Sequence, residues 1–275
     1  MNLIIDIGGT RGRWYIVDKS IISSYETNGF NPFTSTINVL EHILKNLKDK
    51  FDFSSINNIY YYGAGISTDN KKIIVKNKLE DFFNRSNIKI NSDLLGSCRA
   101  LCDNNEGIVC ILGTGSNSCY FDGKIIKSKI NSLGYLLGDE GSGYDIGKNF
   151  IRLYLRNSLP EDLENSFKEE YDSSSDILER LYTIDNKEKY ISSISKFVSQ
   201  NKDNNHIKNF IISHFNNYFK NIVLKYSSKK IYMSGSIAYY FKDEIKEVAE
   251  KYQLKILKVV KDPITELCEY HIKHK

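Results

Sequence analysis

The chain has 275 residues, of which 41% are hydrophobic and 26% charged, as expected for an ordinary soluble globular protein. Its 38 basic and 34 acidic residues leave a net charge of +4, too small an excess to indicate nucleic-acid or membrane-surface binding. No apolar run approaches the ~20 residues that span a bilayer, and no signal-peptide pattern opens the chain, so we predict a cytoplasmic protein. Five cysteines without a CxxC pair are expected to be buried thiols in a reducing compartment.

The first hundred residues predict a sheet that alternates with helices. An apolar strand at 3–7 runs into "GGT" and pairs as a hairpin with a second strand at 13–18. Two further strands are predicted at 58–65 and 88–93. Three helices are predicted at 34–47, 69–85 and 94–102. This order is typical of an α/β domain with a central sheet.

The pattern then starts again. A second apolar strand meets glycines at 108–116, and 117–126 reads as the return strand of another hairpin, with Gly113 at the position that Gly8 has in the first. We interpret this as an internal duplication. Coincidence is the alternative, because strand–glycine–strand patterns are common.

The remainder is predicted to be mainly helical. Helices are expected at 142–156, 161–170, 175–184, 188–200, 205–226 and 237–252, and strands at 230–236 and 254–259. A last helix is predicted at 263–273, with Asp262 as its N-cap and Pro263 as its first residue.

Two glycine-rich turns are candidate phosphate sites. In "DIGGTRGR" the backbone N–H groups of Gly8 and Gly9, with Thr10 and Arg11, could bind phosphate oxygens, and Asp6 could hold Mg²⁺. The second turn, "GTGSN", offers the same chemistry through Gly113, Thr114, Gly115 and Ser116. An ordinary hairpin turn is the alternative in each case.

Three other segments end strands or begin helices. Gly235 and Ser236 in "MSGSI" could let a nucleoside pack against a helix start, although a tight turn explains them equally well. Asp93 in "NSDLLGS" could accept a proton from a sugar hydroxyl, or Ser92 or Asp93 could be a helix cap. In "GDEGSG", Asp139 and Glu140 could accept hydrogen bonds from ligand hydroxyls, or one of them could cap the following helix.

The ordered set "DIGGT", "NSDLLGS", "ILGTGSNS", "GYLLGDEGSG" and "MSGSIA" resembles the BadF/BadG/BcrA/BcrD ATPase family of the actin/hexokinase/Hsp70 superfamily. Within it the chain is most similar to N-acetylglucosamine kinases. The resemblance implies an α/β fold of two RNase H-like lobes, the actin-like ATPase fold, with a helix-rich second lobe. We expect lobes at 1–104 and 105–275, with the last helix, 263–273, packing back on the first.

The resemblance also implies roles for individual residues. Gly8–Arg11 and Gly113–Ser116 would bind the phosphates of ATP, Gly235 and Ser236 would lie near adenosine, and Asp93 would be the catalytic base. The hexosamine pocket would be lined by Asn31, Gly65, Asp93, Asn117 and Asp139, with Glu140 supporting the loop of Asp139. The chain departs from the family at Gly63, where Ser-Gly-Gly is common, and at Tyr135, where animal relatives have tryptophan.

The function expected from the sequence is therefore ATP- and Mg²⁺-dependent phosphorylation of an amino sugar, first N-acetylglucosamine to its 6-phosphate. N-acetylmuramic acid and glucosamine are alternative substrates. A BadF-type ATPase that activates a partner enzyme and a non-catalytic sugar sensor are alternative functions. The expected partners are an amino sugar and ATP, without nucleic acid or membrane, and a homodimer is an open alternative.

Overall fold

The computed structural model describes residues 1–66, 68–83, 87–171 and 174–274. The chain divides into two compact units. Unit 1 comprises residues 1–106, 121–126 and the C-terminal segment that starts at Asp262, and unit 2 comprises residues 107–120 and 127–261.

A five-stranded mixed sheet forms the centre of unit 1. Its strands are β1 (Asn2–Ile7), β2 (Arg11–Val17), β3 (Ile21–Asn28), β4 (Asn58–Gly63) and β5 (Asn87–Ser92), in the order β3-β2-β1-β4-β5. The first three strands pair antiparallel, whereas β4 runs parallel to β1 and β5 runs parallel to β4. The carboxyl ends of β1, β4 and β5 therefore lie at the same edge of the sheet.

The described residues of unit 1 form the helices α1 (Ile37–Lys48), α2 (Asp69–Phe82), α3 (Asp93–Cys102) and α12 (Ile264–Lys273). Buried side chains of α1, such as Leu40 and Leu44, and of α2, such as Leu79, join Ile5 and Tyr61 of the sheet in one apolar core. The last helix, α12, contacts α3 and β1, and the Tyr62 hydroxyl forms a 2.8 Å hydrogen bond with Nε2 of its buried His271.

The second sheet has the same strand order as the first. Its strands are β6 (Glu106–Leu112), β7 (Ser116–Asp122), β8 (Ile126–Ile130), β9 (Lys230–Ser234) and β10 (Lys255–Val260), in the order β8-β7-β6-β9-β10. As in the first sheet, the later strands are parallel, since β9 pairs parallel with β6 and β10 with β9. The matching orders confirm the internal duplication expected from the glycine turns.

Unit 2 is rich in helices around its sheet. The helices are α4 (Gly134–Leu137), α5 (Gly143–Leu155), α6 (Glu161–Glu170), α7 (Ser174–Thr183), α8 (Lys187–Gln200), α9 (Asn205–Asn221), α10 (Ser236–Tyr240) and α11 (Lys242–Lys251). Their apolar faces form the second core, in which the fully buried rings of Phe150, Phe167 and Phe197 pack edge to face or tilted. In the part of the chain that the structure describes, no helix is long and apolar enough to cross a membrane.

Several predicted boundaries are wrong. Each hairpin continues into a third strand, β3 and β8, and the predicted strand 117–126 breaks at a turn where Gly123 has φ +94°. The predicted helix 205–226 ends at Asn221 before a 3₁₀ turn, and the helix predicted at 237–252 divides at the buried Phe241. The last two residues of the helix predicted at 69–85 lie outside the described residues.

Candidate functional site

Two carboxylates predicted to belong to the site, the candidate metal ligand Asp6 and the candidate base Asp93, lie at the carboxyl edge of the sheet in unit 1. Asp6 is the fifth residue of β1 and pairs in register with Tyr62, while Gly63, the last residue of β4, pairs with Ser92, which directly precedes Asp93. Gly65 lies just beyond β4, and the N–H of Ala64 donates to Ile7 O at 3.0 Å. In open α/β sheets this edge is where ligands bind.

The first glycine turn closes against the loop that follows β3. The Gly8 N–H donates to Arg11 O at 2.9 Å, the Gly29 N–H to Thr10 O at 3.0 Å and the Phe30 N–H to Gly8 O at 3.0 Å. A Cβ on Gly29 would lie only 2.3 Å from Gly8 O and 2.4 Å from the Gly9 carbonyl carbon. Gly29 therefore allows the turn and the segment leading to Asn31 to touch through their backbones.

Asp6 is a largely buried acid with a cation beside it. Its side chain is 14% exposed, and Arg13 Nη1 lies 3.7 Å from Asp6 Oδ2. Burial raises the pKa of Asp6 to about 6, a rise that the Arg13 charge opposes and the Asp262 charge increases. The predicted N-cap role of Asp262 is wrong, because Pro263 occupies the cap position of α12. Asp262 instead forms a close ion pair with Arg13.

Arg13 lies beside Asp6 but was not predicted from the motifs, whereas the predicted Arg11 is largely exposed. Arg11 and its partner Glu26 are each 61% exposed and 4.0 Å apart, which gives the pair little weight. The hairpin register pairs Asp6 directly with Arg13, so the opposite charges on facing positions were the signal that could have identified it.

Asp93 begins α3 but does not cap it. The N-cap is Ser92, whose hydroxyl accepts from the Leu95 N–H at 3.3 Å, while Asp93 Oδ1 accepts from the Leu94 N–H at 2.8 Å. Of the two cap residues that the sequence allowed, the structure therefore selects Ser92. Capping does not account for the carboxylate at position 93.

Tyr61 explains the missing side chain at position 63. A Cβ on Gly63 would lie 2.4 Å from Tyr61 Cε1 and 2.7 Å from its hydroxyl oxygen, so the ring fills the space that a serine would need. Burial raises the pKa of Tyr61, and the negative charges of Asp93 and Asp6 raise it further.

Asn31 and Gly65, both predicted sugar contacts, touch each other. A Cβ on Gly65 would lie 2.2 Å from Asn31 Oδ1, and the glycine has φ +73°. Asn31 Oδ1 accepts the Phe33 N–H at 2.9 Å. The pair thus joins the loop after β3 to the turn after β4.

The second glycine turn, in unit 2, is braced by the helix that follows it. The Gly113 N–H donates to Gly115 O at 2.9 Å. At the start of α5, the Gly143 N–H donates to Gly113 O at 2.8 Å and the Tyr144 N–H to Thr114 O at 3.1 Å. The turn and the "GDEGSG" segment are therefore one hydrogen-bonded assembly.

Asp139 packs on this turn and does not cap α5. The cap is Ser142, whose hydroxyl accepts from the Asp145 N–H at 3.1 Å, so the cap interpretation of Asp139 is wrong. A Cβ on Gly115 would lie 2.6 Å from Asp139 Oδ2, and Asp139 has φ +55°. Burial raises the pKa of Asp139 to about 6, opposed by a hydrogen bond from the Ser116 N–H and reinforced by nearby acids.

Asp145 binds the backbone of the loop that carries Asp139. Its Oδ2 accepts from the Gly141 N–H at 3.2 Å and lies 3.5 Å from Nε2 of the buried His214. The supporting role was predicted for Glu140 and not for Asp145, although the serine–x–x–acid spacing from Ser142 to Asp145 was a usable signal.

The remaining predicted contacts of unit 2 surround the same turn. Gly235 has φ +109°, and a Cβ on it would lie only 2.2 Å from Leu112 O. The Gly235 N–H donates to Val260 O at 3.1 Å. Ser236 is the first residue of α10. Asn117 Oδ1 accepts the Ser118 N–H at 3.0 Å. The predicted site residues thus fall into two clusters, one in each unit.

Among the described residues, no group of three or more His, Cys, Asp or Glu side chains could hold a metal ion. Burial destabilises the ionised form of Asp6, and a cation beside it would stabilise that form in addition to Arg13. Asp6 therefore fits a metal ion that takes its other ligands from phosphate and water.

No family model matches the chain. The N-acetyl-D-glucosamine kinase of Dictyostelium discoideum is 27% identical over 172 residues, 55% of this chain and 53% of that protein. An N-acetylmuramic acid/N-acetylglucosamine kinase of Clostridium acetobutylicum is 33% identical over 94 residues, 34% of this chain and 30% of that protein. The chain thus matches about half and about a third of the length of these curated relatives.

A solved structure matches over its whole length. A Porphyromonas gingivalis protein with the provisional name N-acetylglucosamine kinase is 34% identical, with 99% of each chain covered and a TM-score of 0.94. Two duplicated mixed sheets and their glycine turns define the class as actin-like ATPase fold proteins, which confirms the expected fold. The chain belongs to the N-acetylglucosamine kinase family.

Proposed function

We propose that this protein is an ATP-dependent kinase that phosphorylates the primary hydroxyl of an amino sugar, N-acetylglucosamine first. Family membership supports the class of reaction. The observation that carries the proposal is Asp93: a carboxylate at the ligand edge of the sheet, on a helix already capped by Ser92.

Asp93 would act as the general base. The Leu94 N–H donates to Asp93 Oδ1 and orients the carboxylate, which would accept the proton of the sugar hydroxyl. The freed alkoxide oxygen then attacks the γ-phosphorus, and the bond from that phosphorus to the β–γ bridging oxygen breaks, releasing ADP.

The two glycine turns would bind the phosphates of ATP. Gly8–Arg11 and Gly113–Ser116 would contribute hydroxyls and backbone N–H groups other than those of Gly8, Gly113 and Ser116, which donate within the protein. Gly235 and Ser236, packed on the entrance to the second turn, would lie near adenosine. Asp6 would hold Mg²⁺ directly or through water, and when bound the ion would offset negative charge on the transferred group.

A neutral polyhydroxylated sugar needs acceptors and donors around it. The residues proposed to provide them, in addition to Asp93, are Asn31, Gly65, Asn117 and Asp139. Since Asp139 is not a helix cap, its burial beside the second turn favours a ligand role. N-acetylmuramic acid and glucosamine remain alternative substrates.

A coupled ADP-release assay across a panel of amino sugars, with and without Mg²⁺, tests the proposal. We expect sugar-dependent ADP release by the wild type and a loss of about 10²–10⁴-fold in kcat for Asp93→Asn, with an unchanged melting temperature. If no sugar raises ADP release above background, the kinase assignment fails. If Asp93→Asn keeps full activity, another group is the base.

The partner-activating ATPase has no comparable support. That function needs cysteines at a dimer interface to share an iron–sulfur cluster, and all five cysteines here are buried thiols. A homodimer is a separate proposal, tested by light scattering of the purified protein on a sizing column: a mass of one chain, about 31.7 kDa, would reject it.

A further inference from the structure

The loop after β3 presents Asn31 in a fixed orientation. Asn31 O accepts the N–H groups of Thr34 and Ser35 at 3.0 and 2.8 Å, and Asn31 Oδ1 accepts the Phe33 N–H at 2.9 Å. Because the bond from the Phe33 N–H uses the side-chain carbonyl, the amide nitrogen is the end of the Asn31 side chain best placed to donate to a ligand.

Lys71, in the first turn of α2, reaches back to this loop. Its Nζ donates to Pro32 O and lies 5.2 Å from the centroid of the Phe33 ring. The Lys71 N–H in turn donates to Thr68 Oγ1 at 3.4 Å, in the N-cap of α2. Lys71 therefore binds the two residues that follow Asn31 from a helix that begins just beyond Gly65.

We propose that Lys71 is a positioning residue for sugar binding, which fixes the Asn31 loop against the Gly65 turn through Pro32 and Phe33. The inference rests on the proposed function, since it takes Asn31 and Gly65 as sugar contacts. A charged donor on a carbonyl, with its ammonium also over an aromatic face, holds the loop more strongly than a neutral contact. Losing it frees the loop to move while the ATP-binding turns keep their own hydrogen bonds.

The neighbouring lysine is a matched control. Lys72 belongs to the same helical turn and has the same charge, but it pairs with Asp69, a side chain that is 93% exposed, at 3.2 Å. Such a surface pair contributes little. Lys71→Met and Lys72→Met therefore remove equal charge and differ in what the ammonium touches.

We expect Lys71→Met to raise the KM for N-acetylglucosamine about tenfold, the order of one lost ligand hydrogen bond, with the KM for ATP within about twofold of wild type. Calorimetric titration with N-acetylglucosamine alone should show the same weakening. Lys71→Arg, which can still donate to Pro32 O, should restore most of the affinity, and Lys72→Met should match wild type.

Equal sugar KM values for Lys71→Met and Lys72→Met would overturn the inference. So would a parallel rise in both KM values together with a lower melting temperature, which indicates general destabilisation. A wild type in which no sugar raises ADP release above background contradicts the proposed function instead, so the two failures are distinguishable. If another amino sugar of the panel is the substrate, the same comparison is made with that sugar.

Discussion

The first glycine turn, Gly8–Arg11, and the second, Gly113–Ser116, follow the first strands of two duplicated sheets, yet different neighbours hold them. Each closes on a hydrogen bond from its leading glycine to a carbonyl two or three residues later. The first then packs on the backbone of Gly29, beside a buried Asp6–Arg13 pair. The second is bound by the N–H groups of α5 and covered by the Asp139 carboxylate.

The difference shows what duplication preserves. The backbone hairpin recurs, because its geometry depends on glycines that allow close approach. The charges beside it do not recur: the first turn has a cation balancing its acid, and Asp139 instead accepts the Ser116 N–H and has other acids nearby. The duplication therefore preserves the backbone turn, while the charged side chains beside the turn differ between the two units.

The largest effect is expected at Arg13, which has no counterpart at the second turn. Arg13→Met removes the charge beside buried Asp6 and frees Asp262, and breaking a buried pair costs about 3 kcal/mol of the free energy of unfolding. Urea denaturation at pH 7.5 measures it.

Arg11→Ala is the control for Arg13. It removes an equal charge from an exposed pair and should change the free energy of unfolding by less than about 0.5 kcal/mol. Similar losses for the two variants would show that the Asp6–Arg13 pair does not brace the first turn.

The next effect is steric. Gly29→Ala places a Cβ 2.3–2.5 Å from backbone atoms of Gly8 and Gly9, which cannot move without opening the turn, so we expect a loss of about 2 kcal/mol. In Gly9→Ala the new Cβ has no neighbour within 4 Å, and stability should be nearly unchanged. Thermal melts of both variants test this, and a stable Gly29→Ala protein would mean that the two loops are not in contact.

Some of these contacts could be predicted from the sequence and others could not. The glycine repeats predict the duplication, and hairpin register could have predicted the Asp6–Arg13 pair, because both depend on neighbours along the chain. The third strands were missed because "IISSYETN" has weak alternation and exposed apolar residues. The contact of Gly29 with Gly8, and that of Asp139 with Gly115, depend on tertiary packing, which no local pattern encodes.

A smaller effect separates Asp139 from the cap of α5. Ser142→Ala removes the cap hydroxyl and should cost about 1 kcal/mol of stability. Asp139→Asn keeps the shape, leaves the cap intact and should raise the sugar KM about tenfold without loss of stability at pH 7.5. Kinetics and melts on both variants check the assignment. Lost stability with an unchanged KM in Asp139→Asn would return Asp139 to a structural role.

The smallest effect is the pH dependence that the two buried acids confer. The folded-state pKa values of Asp6 and Asp139 are raised to about 6 from an ordinary value of 3.8, so the folded protein binds protons more tightly than the unfolded chain does. Their contribution to stability is therefore complete below about pH 4 and is lost as the pH rises through about 6.

Melts at pH 4.5, 5.5, 6.5 and 7.5 should show Asp139→Asn losing less stability across this range than wild type, by roughly 2 °C. Asp69→Asn, which changes an exposed carboxylate, should follow the wild-type curve. If Asp139→Asn also follows that curve, Asp139 is more hydrated than its place against Gly115 implies. The buried acid would then be a feature of the first turn that the second turn does not share.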